Sequence, residues 1–185
     1  MAVLAAGASR RFGDEDKLAQ MFRGRRLGEQ AAASVPMQLF EQAWVVGAHR
    51  GHACEGAWQD CGFEIVINPH ADEGMGTSVA LAARYAIKAG LDALLIALAD
   101  MPLVPREHFS ALVDAVVTSS AIATSATKSS RMPPAVFGRD HFEALALATG
   151  DTGARAILSQ GQVIACPREW LIDIDTPQSL QKYDG

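Results

Sequence analysis

The stretch Leu4-Ala5-Ala6-Gly7-Ala8-Ser9-Arg10-Arg11-Phe12-Gly13, with Lys17 shortly after it, decides the fold of this chain. The apolar residues 1–6 form a run short enough for a buried strand. The glycines that follow permit backbone conformations, and a close approach of a ligand, that a side chain would block. Arg11 and Lys17 add cations, and an arginine can hold two phosphate oxygens at once. The stretch therefore predicts a polyphosphate-binding loop at the carboxyl end of the first strand of an α/β sheet, where such sheets bind ligands.

The spacing of this loop excludes two better-known phosphate-binding loops. A P-loop requires four residues between its glycines and then Lys-Ser/Thr, whereas five residues separate Gly7 from Gly13 and Asp14 follows. The dinucleotide fingerprint requires a second glycine two residues after the first, and that position is Ser9. The composition of the loop also fits an ordinary strand-to-helix turn with solvated arginines, since glycine-rich turns are common.

The rest of the chain alternates apolar runs with helical patterns, which is typical of a mostly parallel sheet covered by helices on both faces. A tight turn is expected at Gly24. Because proline cannot donate a ladder hydrogen bond, Pro133 and Pro134 limit their strand to a sheet edge or a strand start. We predict a single α/β domain over residues 1–185. The predicted strands cover residues 1–6, 43–46, 63–67, 93–98, 121–126, 133–137, 163–166 and 171–174, and the predicted helices cover 29–34, 49–60, 77–88, 106–117, 139–148, 154–159 and a last helix that Thr176 caps.

Bulk properties exclude several classes of protein. Apolar residues make up 49% of the chain and argue against disorder, and no apolar run reaches the roughly 18 residues that a membrane span needs. The net charge of −5 argues against nucleic-acid binding through a basic face. No signal-peptide pattern is present, and three cysteines without a CxxC pair fit reduced thiols. We therefore expect a cytoplasmic protein without membrane or nucleic-acid partners.

Asp100 follows the most hydrophobic predicted strand, so it is expected at the same rim of the sheet as the Gly7 loop. A carboxylate there can hold Mg²⁺, which takes one or two carboxylates together with phosphate oxygens. A turn-starting aspartate before Pro102 is the alternative. Asp173 and Asp175 are candidates for a second carboxylate, because residues two apart in extended chain point the same way. We place Asp173 ahead of Asp175, and helix capping is the alternative for both.

The segment Gly74-Met75-Gly76-Thr77-Ser78 places a flexible loop at a predicted helix start, with Thr77 or Ser78 as the cap. Helix N-termini attract anions through unpaired N–H groups and the helix dipole. The segment is therefore a candidate anion-binding site, and an ordinary capped turn is the alternative.

Further cations and histidines carry weaker signals. Lys128, Arg131 and Arg139 are candidate phosphate contacts, although a solvated loop face explains them more simply. His49 and His52 have the spacing of a metal-binding pair, but no third ligand follows nearby, and we expect both to be exposed to solvent.

Taken together, these motifs resemble a known family. Leu-Ala-Ala-Gly-x-Ser-x-Arg-x-Gly followed by Lys17 is similar to the signature loop of the nucleotidyltransferases that activate the molybdenum cofactor, and most similar to the cytidylyltransferase branch. The segments at 73–78, 98–103, 150–155 and 173–177 match the same family in order. The chain departs from the family pattern at Phe12, where the family often has Met, and in having only three residues before Leu4.

The resemblance implies a Rossmann-like nucleotidyltransferase fold, with some antiparallel strands near the C-terminal side of the sheet. It implies that Arg11, Lys17 and Asp100 are catalytic and that Mg²⁺ binds Asp100, with Asp173 as the second carboxylate. Arg155, or the helix start beside it, is implied to meet the pterin, and a capped helix with a solvated arginine is the alternative. The implied nucleotide-binding residues are Leu4, Ala5, Ala6, Gly7, Ser9, Arg11, Lys17, Asn68, Gly76 and Ser78.

By this resemblance the protein is expected to transfer CMP from CTP to the terminal phosphate of the molybdopterin (molybdenum) cofactor, with release of pyrophosphate. The recipient of the product is expected to be a molybdoenzyme of the xanthine dehydrogenase type or its maturation factor. The alternatives are guanylyl transfer to the same cofactor, nucleotidyl transfer to a sugar or polyol phosphate, and a non-catalytic nucleotide sensor.

Overall fold

The computed structural model describes residues 1–7, 10–13, 15–127, 130–150 and 155–184. Within these residues no helix is long and apolar enough to cross a membrane. The strands are β1 (Ala2–Leu4), β2 (Met21–Phe22), β3 (Arg25–Arg26), β4 (Trp44–Gly47), β5 (Glu64–Ile67), β6 (Ala93–Leu98), β7 (Ile122–Ala126), β8 (Arg131–Gly138) and β9 (Gln162–Ala165). The helices are α1 (Leu27–Ala33), α2 (Glu55–Asp60), α3 (Met75–Lys88), α4 (Arg106–Asp114), α5 (Phe142–Ala146), α6 (Arg155–Leu158) and α7 (Pro177–Asp184).

Seven strands form one mixed sheet in the order β5-β4-β1-β6-β8-β7-β9. β1 lies between β4 and β6 and is parallel to both. β8 runs antiparallel to its neighbours β6 and β7, and β9 is parallel to β7. This mostly parallel, Rossmann-like sheet confirms the predicted fold class.

Apolar layers cover both faces of the sheet, because side chains alternate between the faces along each strand. On one face Val3 belongs to a core that includes Trp58 of α2 and Phe109 of α4. On the other face Leu4 belongs to a core that includes Val79 of α3 and Leu145 of α5. The sheet is therefore the middle of three layers, with helices on both sides as predicted.

The short strands β2 and β3 form a separate hairpin. Its two turn residues, Arg23 and Gly24, have φ angles of 49° and 80°. Two successive positive φ angles are typical of the two-residue turn that matches the twist of a hairpin. The tight turn predicted at Gly24 is confirmed.

The prediction for the proline-containing strand is wrong in its main point, because β8 lies inside the sheet between β6 and β7. Its pairing with β6 ends at Ala135, and its pairing with β7 shifts register between Thr124 and Ser125. Pro133 and Pro134 lie in this irregular part of β8, where their missing N–H groups cost no ladder bond. A bulge is the third position, besides an edge or a strand start, that tolerates proline.

Other predicted elements differ in extent. The helix predicted over 49–60 begins only at Glu55, since Gly51 has a φ of 75°, a left-handed conformation that interrupts a helix. The helix predicted to reach residue 117 ends at Asp114, before the β-branched run 116–118. Residues 171–174, predicted as a strand, belong to no strand of the described chain, and Leu171 closes a 3-10 turn.

Candidate active site

A cleft of about 360 Å³ opens at the carboxyl ends of β1 and β6. This is the rim at which open α/β sheets bind ligands, and the volume is within the roughly 300–1,000 Å³ of small-molecule sites. Its lining comes from the loop after β1, the turn at Lys17, the start of α3 and the end of β6. The lining residues are Leu4, Ala5, Ala6, Gly7, Lys17, Leu18, Ala71, Asp72, Glu73, Gly74, Met75, Ser78, Leu98 and Asp100.

Backbone hydrogen bonds fix the chain after β1 at the mouth of this cleft. The Ala5 N–H donates to the Val46 carbonyl of β4 at 2.8 Å, and the Ala99 N–H donates to the Leu4 carbonyl at 3.0 Å. Gly7 follows in open space, since no described atom beyond its chain neighbours lies within 4 Å of the place of a Cβ. A side chain at position 7 would therefore fit among the described residues, so their packing does not require a glycine there. The close approach of a ligand would require one.

Lys17 is the cation at the centre of the site. Its ammonium donates to Asp100 Oδ2 and to Asp175 Oδ1, at 2.5 Å each. Its side chain is only 11% exposed. Burial lowers the pKa of this ammonium, but Asp100 and then Asp175 outweigh burial and raise the pKa above its ordinary value. Lys17 is thus held charged between two carboxylates.

Asp100, just after β6, has one carboxylate oxygen engaged and one open. Oδ2 accepts from Lys17, whereas Oδ1 is buried and has no hydrogen-bond partner within the described parts of the chain. A buried anionic oxygen without a partner is costly until a cation or donor completes it. Such a hard oxygen fits Mg²⁺, which binds through one or two carboxylates together with waters and phosphates. The described residues include no cluster of three metal-ligating side chains.

The segment 173–175 reaches the same rim from the C-terminal part of the chain. The Ile174 N–H donates to the Asp100 carbonyl at 2.9 Å, and the Ile174 side chain is fully buried. Asp175 accepts from Lys17 and, at 3.0 Å, from Arg11 Nη1. The sequence places Asp173 ahead of Asp175, whereas the structure joins Asp175 to both cations of the site.

The two carboxyl groups of this segment have opposite pKa shifts. Partial burial, followed by the charges of Asp175 and Asp100, raises the pKa of Asp173. Burial also disfavours the charge of Asp175, but hydrogen bonding and charge from Lys17, with the charge of Arg11, lower its pKa below the ordinary value. A carboxyl that resists ionisation therefore lies beside one that is held ionised.

Asp16 and His52 support the turn that carries Lys17. Asp16 is not among the residues predicted for the site, and His52 is predicted only as an exposed histidine. Asp16 Oδ1 accepts the Leu18 N–H at 2.9 Å and caps the turn, while its Oδ2 lies 2.6 Å from His52 Nε2. The His52 ring stacks on Trp58 with 4.7 Å between ring centroids. The expectation that His52 is exposed to solvent is wrong, because its side chain is only 10% exposed.

The start of α3 differs from the prediction in its cap. The helix begins at Met75 with Gly74 as N-cap, and the predicted caps Thr77 and Ser78 lie inside its first turn. The Asn68 amide donates to the Thr77 and Ser78 hydroxyls, at 2.8 and 2.9 Å. Asn68 thus ties the end of β5 to α3 with both amide hydrogens, and its contact with a base or ribose stays a prediction.

Gly76 lets the chain at 149–150 approach α3 closely. Its N–H donates to the Gly150 carbonyl at 2.6 Å, and a Cβ on residue 76 would lie 2.6 Å from the same oxygen. A side chain here would push Thr149 and Gly150 away. Gly76 therefore has a structural role, and its contact with the nucleotide stays a prediction.

Several predicted residues cannot be placed in the site. Ser9, Lys128 and residues 151–154 lie outside the described residues, as does the Arg155 side chain. Arg131 donates to the carbonyl of Leu158, the last residue of α6, and to those of residues 159 and 161. Arg139 donates to the carbonyls of residues 90 and 91 after α3. Both arginines thus bind backbone carbonyls at or just after helix C-termini, and neither lines the cleft.

Residues 1–164 match the family model of the MobA-like NTP transferase domain. The chain belongs to the MobA-like NTP transferase family. The match contains every residue of the cleft lining, whereas Asp173 and Asp175 lie just beyond it. The predicted membership of the molybdenum cofactor nucleotidyltransferase family is thereby confirmed at the level of the family.

Two relatives of this family member align over almost its whole length. The purine catabolism protein PucB of Bacillus subtilis is 29% identical, over 98% of this chain and 92% of PucB. The nicotine blue oxidoreductase of Paenarthrobacter nicotinovorans is 30% identical, over 93% of this chain and 83% of the relative. Their names describe different processes, and neither name assigns a substrate to this chain.

Solved structures share the fold. A nucleotidyl transferase from Methanothermobacter has a TM-score of 0.80 at 20% identity, covering 99% of this chain and 94% of that one. Rv0371c of Mycobacterium tuberculosis, in complex with manganese, has a TM-score of 0.71 at 20% identity, covering 99% and 96%. The family match and the shared fold confirm that the chain is a nucleotidyltransferase.

Proposed function

We propose that this MobA-like transferase moves CMP from CTP to the terminal phosphate of the molybdopterin cofactor that carries molybdenum, releasing pyrophosphate. One observation carries the proposal. Lys17 donates hydrogen bonds to both Asp100 and Asp175 beside the cleft at the carboxyl ends of β1 and β6. A cation and two carboxylates there suit a triphosphate and its divalent metal ion.

In the proposed reaction an oxygen of the acceptor phosphate attacks the α-phosphorus of CTP. A P–O bond to the acceptor forms, the bond from the α-phosphorus to the bridging oxygen breaks, and pyrophosphate leaves in line. The attacking oxygen is already anionic, so no residue has to remove a proton. The protein therefore contributes positioning and charge neutralisation.

The residues of the site divide this work. Lys17 and Arg11 would neutralise the triphosphate, and the chain from Leu4 to Gly7 would meet the base and allow the phosphates to approach. Asp100, with Asp173 or Asp175 as second carboxylate, would hold Mg²⁺, and the buried Asp100 Oδ1, unpartnered within the described chain, would be one of its ligands. When bound, the ion would neutralise phosphate charge as a Lewis acid.

The choice of CTP over GTP depends on the size of the residue at position 6, where Ala6 lines the cleft. Ala6 fills more space than glycine would at the same position, and a pyrimidine needs a smaller pocket than a purine. The resemblance of the Ala5-Ala6-Gly7 form to the cytidylyl branch supports the same choice. The name of the relative PucB, a purine catabolism protein, supports a recipient molybdoenzyme of the xanthine dehydrogenase type.

The test is pyrophosphate release with each of the four nucleoside triphosphates, Mg²⁺ and molybdopterin cofactor. We expect turnover with CTP to exceed that with GTP by at least about tenfold, the scale on which a pocket discriminates by size. A preference for GTP would contradict the nucleotide assignment. Turnover with sugar or polyol phosphates in place of the cofactor would contradict the acceptor, and binding without pyrophosphate release would indicate a sensor.

A further inference from the structure

We infer that Lys17 is a placeholder for the divalent cation of this site. Its ammonium neutralises Asp100 and Asp175 while the metal is absent, and it turns to the phosphates when metal and nucleotide enter. The inference rests on the proposed function, because it presumes that the site takes a metal and a triphosphate.

The Lys17 ammonium occupies the position between Asp100 and Asp175 that a divalent metal ion would need. Lys17 Nζ lies 2.5 Å from Asp100 Oδ2 and 2.5 Å from Asp175 Oδ1. A metal ion that bound both of these oxygens would compete with the ammonium, because the two cations would share the same two ligands at close range. The buried Asp100 Oδ1, unpartnered within the described chain, is a further ligand that the ammonium leaves unused.

Electrostatics explain why a cation is needed before the metal arrives. The side chains of Asp100 and Asp175 are 18% and 35% exposed, and two close carboxylates repel one another. A lysine suits a temporary role because its charge is on a flexible four-carbon stem. Arg11 is a poorer competitor for the metal, since its one ion pair among the described residues is with Asp175 and its side chain is 71% exposed.

The backbone at Lys17 can stay in place while its side chain moves. Asp16 caps the turn through the Leu18 N–H, and His52 holds Asp16 from the other side. The exchange therefore needs a rotation of the Lys17 side chain, with no rearrangement of the turn.

The experiment measures two affinities in Lys17→Met, one for Mn²⁺ without nucleotide and one for CTP. The inference predicts opposite changes. Mn²⁺ alone should bind at least about tenfold more tightly than to the unsubstituted protein, because its competitor is gone. CTP should bind about tenfold more weakly, because a phosphate contact is lost. Electron paramagnetic resonance can follow free Mn²⁺, and calorimetry can follow CTP.

Two controls separate competition from other effects. Arg11→Met removes the same charge from the site, so an equal gain in Mn²⁺ affinity there would show a net-charge effect and overturn the inference. Lys17→Met combined with Asp100→Asn should lose the tight Mn²⁺ binding, and persistent tight binding would place the ion elsewhere. Lys17→Gln, which keeps one hydrogen-bond donor, replaces Lys17→Met if circular dichroism shows the latter unfolded.

The outcomes distinguish this inference from the proposed function. Unchanged or weaker Mn²⁺ binding in Lys17→Met, with normal binding of Mn²⁺ and CTP together by the unsubstituted protein, would reject the placeholder and leave the proposed function standing. If neither protein bound Mn²⁺ or CTP, both would be rejected.

Discussion

The surroundings of Asp173 disfavour the ionised form of its carboxyl group. Partial burial, then the charges of Asp175 and Asp100, raise its pKa above the ordinary value of 3.8. Because the pKa of Asp173 is higher in the folded state than in the unfolded state, protonated Asp173 stabilises the folded state. That contribution is complete below pH 3.8 and is lost as pH rises through the folded-state pKa. At neutral pH, ionised Asp173 therefore costs stability in the ligand-free protein.

We predict that Asp173→Asn raises the melting temperature at pH 7 by about 1–2 °C, after allowance for solvent screening at an exposed residue. The gain should shrink as pH falls toward 4, because Asp173 is then increasingly protonated in both states. Thermal unfolding followed by circular dichroism at both pH values measures this. Glu41→Gln, which changes an exposed carboxylate outside the cleft, is the control. A lower melting temperature of Asp173→Asn at pH 7 would contradict this prediction, because it would show that the surroundings stabilise the Asp173 carboxylate.

At the level of residues, the sequence predicts individual members of the candidate site but not their contacts. A loop motif predicts Lys17 and a strand end predicts Asp100, each without reference to the other. Their ion pair joins positions 83 apart, and the pair with Asp175 joins positions 158 apart, so no local pattern contains either. The spacing of Asp173 and Asp175 predicts the same direction for both side chains, and their contacts distinguish them, since Lys17 and Arg11 both bind Asp175.

His108 joins α4 to the sheet where β8 is irregular. Its Nε2 lies 2.7 Å from Ser125 Oγ, and that hydroxyl donates to the Pro134 carbonyl, also at 2.7 Å. Since the single hydroxyl hydrogen is used, Nε2 must donate. Burial lowers the pKa of His108, so the neutral ring is the form that the fold accepts. The unfolded chain then binds more protons than the folded one below about pH 6.5.

We predict that the free energy of unfolding falls as pH drops from 7 to 5.5, by at most about 1.4 kcal/mol per pH unit from this group. His108→Gln should be less stable at pH 7, because it loses a buried ring, and its stability should change less with pH. Urea unfolding at both pH values measures this. An equal pH dependence in both proteins would assign the effect to other groups.

At the level of elements, the sequence predicted which segments are strands and helices better than where they lie. The proline rule identified a restricted strand, but a bulge between β7 and β8 satisfies it as well as an edge does. The helix before residue 60 was predicted too long, because the left-handed conformation of Gly51 follows from the fold. Residues 171–174 have an apolar run like a strand, yet contact the Asp100 carbonyl through Ile174 without joining the sheet.

At the scale of the whole molecule, the order of the sheet assembles the site. β1 and β6 are adjacent and parallel, so the loop after β1 and Asp100 meet at one rim although about half of the chain separates them. The C-terminal segment then adds Asp175 beside them through the contact of Ile174 with Asp100. The alternation of strands and helices in the sequence predicts this rim. It does not predict that residues 173–175, which belong to no strand of the described chain, join the site.

The most direct test of the central claim, that this rim binds a nucleoside triphosphate for nucleotidyl transfer, is pyrophosphate release by Asp100→Ala. We predict a loss of at least about 100-fold in turnover, the scale seen when a charge-stabilising group is removed from an active site. The melting temperature should change by no more than about 3 °C, since Lys17 keeps Asp175 as a partner. Asp114→Ala, an exposed aspartate at the end of α4 that does not line the cleft, should keep full turnover. Turnover of Asp100→Ala within about threefold of the unsubstituted protein, a difference below 1 kcal/mol, would contradict the account.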